Sequence, residues 1–366
     1  MNFPTTYEAI LERIKLVDPK KYASTRNFEN GAVTYLSPYI SRGVISTKQV
    51  FEELKSRDLP FSTIEKLTQE LAWRDYWQQV WIAKGNEIDF DLRNEQKPVS
   101  NHQIPIAITK GKTGVNSIDS SIQQFYKTGY MHNHMRMYVA AVACNMAQSR
   151  WLRPAQWMYA HLLDGDWASN ALSWQWVAGA NSNKKYVANQ EIINKYFNSN
   201  QRNTFLDVPY DTFSNMETPK ALENTEAFEL ETELTNLPRN ESLIIDSSLP
   251  TLVYSYYNLD PIWRNEEKAN RILLLEPSFF KKYPVAQKPL NFALELSKNI
   301  NNLQVFVGEF SDLKTQLGKT QIFYKEHPTN CHFEGSEDAR DWMFSVTGYY
   351  RSFFAFWKKC KKELNV

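Results

Sequence analysis

Apolar residues recur every three to four positions over 5–16, 47–57 and a Trp-rich stretch at 62–83, and again over 116–149 and 154–163, which predicts a helix in each. Gly- or Pro-bearing breaks at 85, 98–105, 111–114 and 153 punctuate them, so the first half predicts an all-α fold. From 206 to 242 the text turns acidic (METPKALENTEAFELETELTNLPRNES), which predicts a linker with at most one short helix. Beyond it the period changes. SLIIDS, TLVYSYY, RILLLEP, LQVFVGEF and TQIFYKE are short β-branched and aromatic runs separated by helical text such as PLNFALELSKNI, the pattern of a smaller α/β domain with a mostly parallel sheet. The division by sequence is therefore 1–205 all-α, 206–242 acidic linker and 243–366 α/β. The tail YYRSFFAFWKKCKKEL predicts an amphipathic helix with a basic end, packed on the α/β domain rather than bound to a membrane.

A chain of 366 residues exceeds the usual size of one domain and can bury a sizeable core. Three cysteines without a CxxC argue against a disulfide framework or a four-Cys iron–sulfur cluster. No run of 18 apolar residues and no basic-then-apolar leader appears, which predicts a cytoplasmic protein with no membrane partner. The net charge of +1 does not announce a nucleic-acid binder, yet residues 1–200 hold 23 Lys+Arg against 18 Asp+Glu, so any anionic partner is expected on that half. GxGxxG and GxxxxGK[ST] are both missing, so no classical dinucleotide or P-loop site is indicated. HPTNCH (327–332) has one Cys and two His but no fourth ligand, and reads as a surface loop; no metal site is expected.

Candidate chemistry concentrates between Thr128 and Trp176, where TGYMHNHMRM and LLDGDWASNALSWQW set polar residues into helical, aromatic-rich text. His132, Asn133 and Arg136 recur near a helical turn, and Asp164, Asp166 and Asn170 lie within seven residues of one another. Brought together, they would make a pocket with an arginine, two carboxylates and two amides, edged by Trp174 and Trp176, suited to a large, flat, polar-edged ligand. The same residues would also serve as a buried Arg–Asp network in a helical core.

The motifs VTYLSPYISRGVIS (33–46), ELAWRDYW (70–77), GKTG (111–114), TGYMHNHMRM (128–137) and DGDWASNALSWQW (164–176) come in an order that resembles the FAD-binding domain of DNA photolyases and cryptochromes, over roughly 20–205. The resemblance implies FAD as cofactor. Tyr22, Thr34 and Ser37 would hold its phosphates, and Asn133, Arg136, Asp164, Asp166 and Asn170 would contact the flavin and ribose. Asn170 matches the residue facing flavin N5, where a neutral amide suits both oxidised and reduced ring. On the substrate side, the resemblance places Trp73, Arg74 and Met137 against a pyrimidine dimer flipped out of damaged DNA, with Glu70 bonded to it. Trp174 and Trp151 match two members of the tryptophan chain that passes electrons to the flavin, so that Glu70, Asn170, Trp174 and Trp151 form the expected catalytic set. The MHNxxRM pattern favours cyclobutane dimers over (6-4) photoproducts. The chain departs from the family at Leu67, where a second Trp is common, before Leu36-Ser37-Pro38, where an Arg is usual, and near Pro98, where no outer Trp stands. The 243–366 region is similar to part of the α/β antenna domain that photolyases carry at their N-terminus, here permuted or truncated. Two functions fit: a photolyase splitting cyclobutane dimers by electron transfer from reduced FAD, or a non-catalytic, cryptochrome-like blue-light sensor or redox flavoprotein.

Overall fold

The computed structural model describes residues 2–237 and 242–364. Its contacts gather the chain into two compact units that interleave in sequence, one formed by Asp18–Val33 and Lys84–Glu229, the other by Asn2–Val17, Thr34–Ala83 and Leu230–Val366.

The first unit is helical. Where periodicity alone suggests one helix over 116–149, the chain forms Asn116–Thr128, Asn133–Ala141 and a π-helical turn at Val142–Met146. Gly129 makes the break: it sits in the left-handed region at φ +72°, which a side chain disfavours, and ends the first helix there. Leu152–His161 and Trp167–Ala178 follow as a helical hairpin. Asp166 starts the second of these by accepting the Ser169 backbone N–H at 2.7 Å, and Gly179 at φ +83° ends it. Part of the acidic stretch expected as a linker is bound into this unit. Thr225–Glu226 pairs antiparallel with Ile104–Pro105, and the Ile106 N–H donates to the Asn224 carbonyl at 2.9 Å.

The second unit carries a sheet of five strands in the order Leu303–Val307, Asn270–Leu275, Thr251–Tyr254, Ile322–Lys325 and Ser336–Asp338, all neighbours parallel. It starts at its centre, winds outward through 270–275 and 303–307, and returns to the other side at 322–325, which is a doubly wound order. Four of the five strands fall within runs anticipated from the sequence. SLIIDS (242–247) forms no strand: Leu243 and Ile245 pack against the core and Ile244 faces out, but its backbone bonds go to the side-chain amide of Gln304 rather than to a ladder. The fifth strand, Ser336–Asp338, is polar and carries no apolar alternation by which it could be foreseen.

Helix Phe61–Lys84 explains why the compact units differ from the compositional division at 205 and 242. It buries twelve of its residues, and several of these meet the C-terminal segment. Tyr76 donates its hydroxyl proton to the Tyr350 carbonyl at 3.0 Å, and Gln79 accepts the Gly348 N–H at 2.9 Å. Asp75 accepts the Thr47 hydroxyl at 2.9 Å and the Met343 N–H at 3.1 Å. Helix Phe353–Glu363 lays Phe353, Phe356, Trp357 and Cys360 inward and leaves Phe354 and Lys358 exposed. Among the described residues, no helix is long and apolar enough to cross a membrane. The HPTNCH segment is only partly a surface loop. Cys331 is exposed, but His327 is buried, stacked on Tyr257 at 4.4 Å between ring centroids and set edge-on to Trp81 at 5.3 Å. No group of three or more His, Cys, Asp or Glu that could hold a metal occurs among the described residues.

Candidate functional site

The break at Gly129 assembles the central ion pair. The Leu163 N–H donates to the Gly129 carbonyl at 2.8 Å, which holds the turn before helix Trp167–Ala178 beside the start of helix Asn133–Ala141. A methyl group on Gly129 would meet Leu163 Cγ at 2.7 Å, so only glycine allows this approach. Asp164 then faces Arg136, whose Nη2 reaches both carboxylate oxygens at 3.0 and 2.9 Å. Arg136 Nε donates to the Met131 carbonyl at 2.8 Å, and the guanidinium lies 5.6 Å from the Tyr130 ring centre. The carboxylate is almost fully buried, which makes this a desolvated, charge-assisted pair.

Asn170 lies on helix Trp167–Ala178, which follows the turn that carries Asp164. Its Nδ2 donates to the Ala155 carbonyl at 2.8 Å, so what it chiefly offers a ligand is the Oδ1 acceptor. Asp166 is buried and already committed as a helix cap. Asn133 is exposed at the first position of its helix, and Met137 stands half-buried one turn further on. Of the two tryptophans expected to edge the pocket, Trp174 is buried. Trp176 is 39 % exposed on the opposite side of the helix, 5.8 Å from the Tyr186 ring, and does not edge a buried pocket.

Burial governs the titratable groups. His132 caps its helix by accepting the His134 N–H at 3.2 Å, and burial, with His134 and Arg136 nearby, pushes it down to about 4, so it is neutral at pH 7. Burial likewise lowers His134, whose ring bonds the Asn27 carbonyl at 3.0 Å. Neither adds positive charge beside Arg136. The hydroxyl of Ser169, next to Asn170, is buried without a partner, a polar atom of the kind that a bound ligand satisfies. A buried carboxylate, an amide acceptor and this hydroxyl on one hairpin, with Arg136 paired to the carboxylate from helix Asn133–Ala141, suit the polar edge of a flavin.

The remaining expected residues divide between the units. Tyr22, on helix Pro19–Thr25, belongs to the helical unit, whereas Thr34, Ser37, Glu70, Trp73 and Arg74 belong to the other. Thr34 Oγ1 accepts the Leu36 N–H at 3.3 Å, and Ser37 opens the short helix Ser37–Ser41. Within the second unit the lesion-side residues are engaged by their own chain. Glu70 pairs with Lys66 at 2.8 Å, Arg74 bonds the Ser41 hydroxyl, and Trp73 is stacked on Phe353 with centroids 3.7 Å apart and planes 11° from parallel.

Trp151, fully buried, donates its indole N–H to Asp91 at 2.7 Å, and Trp167 donates to Asp89 at the same distance. Neither aspartate was legible as a partner: DFDLR (89–93) reads as a polar turn, and only the fold returns it to the tryptophans.

Residues 67–207 match the family model described as the FAD-binding domain of DNA photolyase. Curated relatives include the deoxyribodipyrimidine photo-lyases of Agrobacterium fabrum, 31% identical over 173 residues, and Synechococcus sp., 32% over 174, covering 44% and 45% of this chain and 35% and 36% of theirs. A cryptochrome DASH of Synechocystis sp. is 29% identical over 188 residues, covering 49% of this chain and 37% of its own. The chain thus spans little more than a third of the length of these relatives. A solved cryptochrome of Synechocystis sp. overlaps 54% of the chain and 44% of its own, with 26% identity and a TM-score of 0.48. The matched segment contains the whole of the Arg136, Asp164 and Asn170 site, so residues 67–207 are similar to the FAD-binding domain of DNA photolyases and cryptochromes, the part of that family that holds FAD.

Proposed function

We propose that this protein is a light-driven flavoprotein of the photolyase type, which splits cyclobutane pyrimidine dimers in damaged DNA by electron transfer from reduced FAD. The observation that carries the reading is Asn170, a neutral amide held by the Ala155 carbonyl on the same hairpin whose turn carries Asp164, the buried partner of Arg136. FAD, when bound, supplies the electron. The protein does the rest: Arg136 and Asp164 fix the polar edge of the ring, Asn170 offers an acceptor that does not force one protonation state, and the aromatic core of the hairpin excludes water. Thr34, Ser37 and Tyr22 are assigned to the phosphates, Asn133 and Asp166 to the ribose side, and Trp73, Glu70, Arg74 and Met137 to the extruded dimer. Trp73 and Glu70 are one helical turn apart, so a stacking face and a carboxyl can address the same extruded dimer.

A second reading, a light sensor without repair, is favoured by one observation: Phe353 already lies flat on Trp73. The deciding experiment is illumination of the chemically reduced protein with dimer-containing DNA. Repair predicts light-dependent recovery of plain thymines, none in the dark, and a loss of about 1–3 kcal/mol in binding for Trp73→Ala, the worth of one base–aromatic stack. Protein that carries FAD and responds to light but neither prefers nor restores irradiated DNA is the sensor.

A further inference from the structure

Helices Leu152–His161 and Trp167–Ala178 form an antiparallel hairpin, and Asn170 bonded to Ala155 fixes its register. Tyr159 against Trp167, at 5.5 Å between centroids, agrees with that register one end along. One turn on from Asn170 is Trp174; one turn back from Ala155 is Trp151. That register sets the two buried indoles at opposite positions across the hairpin, one turn beyond Asn170 and Ala155.

Trp151 then meets an acceptor. Asp91 Oδ1 takes its indole proton at 2.7 Å, while Asp91 Oδ2 is held by Arg150 Nη1 at 2.7 Å and by the Gln96 N–H at 2.9 Å. Arg150 holds the carboxylate in place, and its side chain is 24% exposed, so the pair reaches water while Trp151 does not. An oxidised indole is a far stronger acid than a neutral one, comparable to a carboxylic acid. A carboxylate bonded to that N–H both stabilises the positive charge and stands ready for the proton.

We propose that Asp91 is the proton acceptor that makes Trp151 the terminal electron donor of the hairpin, in place of an outer tryptophan. The proposal deepens the light-driven reading of the same site and depends on it. Bound FAD would supply the light-driven oxidant at Trp174, and Trp151 would refill that position with one electron of its own. The Trp151 N–H bond then breaks, its electron pair stays on the indole nitrogen, and the proton passes to Asp91 Oδ1. The products are a neutral tryptophan radical and a protonated carboxyl, and the hole has no proton with which to return quickly. A thiol reductant later restores the electron and Asp91 the proton. Protonation at Oδ1 leaves the Arg150 bond at Oδ2 in place.

The test has a flavin-free arm and a loaded arm. In flavin-free protein with 15N-labelled tryptophan, the Trp151 indole proton, assigned with Trp151→Phe, should resonate far downfield and exchange slowly, and Asp91→Asn should shift it upfield. In the FAD-loaded protein, flash spectroscopy should show a tryptophan radical cation converting to the neutral radical, more slowly in deuterium oxide. Asp91→Asn retains an acceptor oxygen and should leave FAD content unchanged, yet hold the radical as the cation and speed recombination several-fold. Asp89→Asn, which removes the equivalent carboxylate from Trp167, controls for the loss of any buried Trp–Asp bond and should leave the radical unchanged. The same neutral radical at the same rate in wild type and Asp91→Asn overturns the assignment. An absent tryptophan radical in wild type, with the downfield indole proton intact, overturns the light-driven reading beneath it.

Discussion

Arg136 and Asp164 set the energy scale of the site. The carboxylate is nearly inaccessible and takes both bonds from one nitrogen, so deleting it strands a guanidinium in low dielectric. Asp164→Ala should cost about 3–5 kcal/mol in folding or a corresponding loss of FAD occupancy; full occupancy with unchanged denaturation would contradict the pocket. Two buried groups should make stability respond to pH in opposite directions. His132 lies at about 4 in the folded chain against 6.5, so the unfolded chain binds more protons between those values and stability falls as pH drops through them, by about 3 kcal/mol. Asp75 is raised by burial from 3.8 to about 6, so the folded chain binds more protons there and stability falls as pH rises through that window, again by about 3 kcal/mol. Denaturation series from pH 4 to 7 should lose the first slope in His132→Asn, which can still cap the helix, and the second in Asp75→Asn; unaltered slopes would reject the assignment. The Arg136–Asp164 pair was legible from spacing because the turn at Gly129 sets the start of helix Asn133–Ala141 beside the turn before helix Trp167–Ala178. Asp91 was not, since its partner lies sixty residues away and nothing local in DFDLR marks it.

At the level of elements, periodicity located the helices and missed where they stop. The 116–149 stretch keeps its apolar spacing through Gly129, so only the backbone freedom of that glycine and its contact with Leu163 divide it. Gly129→Ala should lose about 1–2 kcal/mol for the left-handed backbone alone, with more from the clash, and should lower FAD occupancy because Asp164 is placed by the same turn. Normal stability and occupancy in that variant would show that the turn does not position the pair. Strands surrounded by apolar neighbours, such as RILLLEP, announced themselves, whereas SLIIDS is an apolar run that meets a glutamine side chain instead of a strand. The tail was legible as an amphipathic helix. Its partner was not: Phe353, 2% exposed, lies on Trp73. Phe353→Ala should cost about 3–5 kcal/mol as a buried aromatic deletion, and a change under 1 kcal/mol would mean that the stack contributes little.

For the whole molecule, composition separated helical from α/β sequence correctly, but the compact units do not follow that cut, because segment 34–83 shares its core with the C-terminal half. Such long-range pairing leaves no mark in local composition. The near-neutral charge likewise says little about DNA, which responds to a local patch rather than a sum. We propose that this chain holds FAD and delivers electrons to it in light through the hairpin tryptophans. The most direct measurement is the absorption spectrum of the purified protein before and after blue light with a thiol present, in wild type and Trp174→Phe. Bound oxidised flavin should bleach to the reduced form in wild type and remain oxidised in Trp174→Phe at equal flavin content. Protein purified without flavin and unable to take up added FAD, or equal bleaching in both proteins, would contradict it.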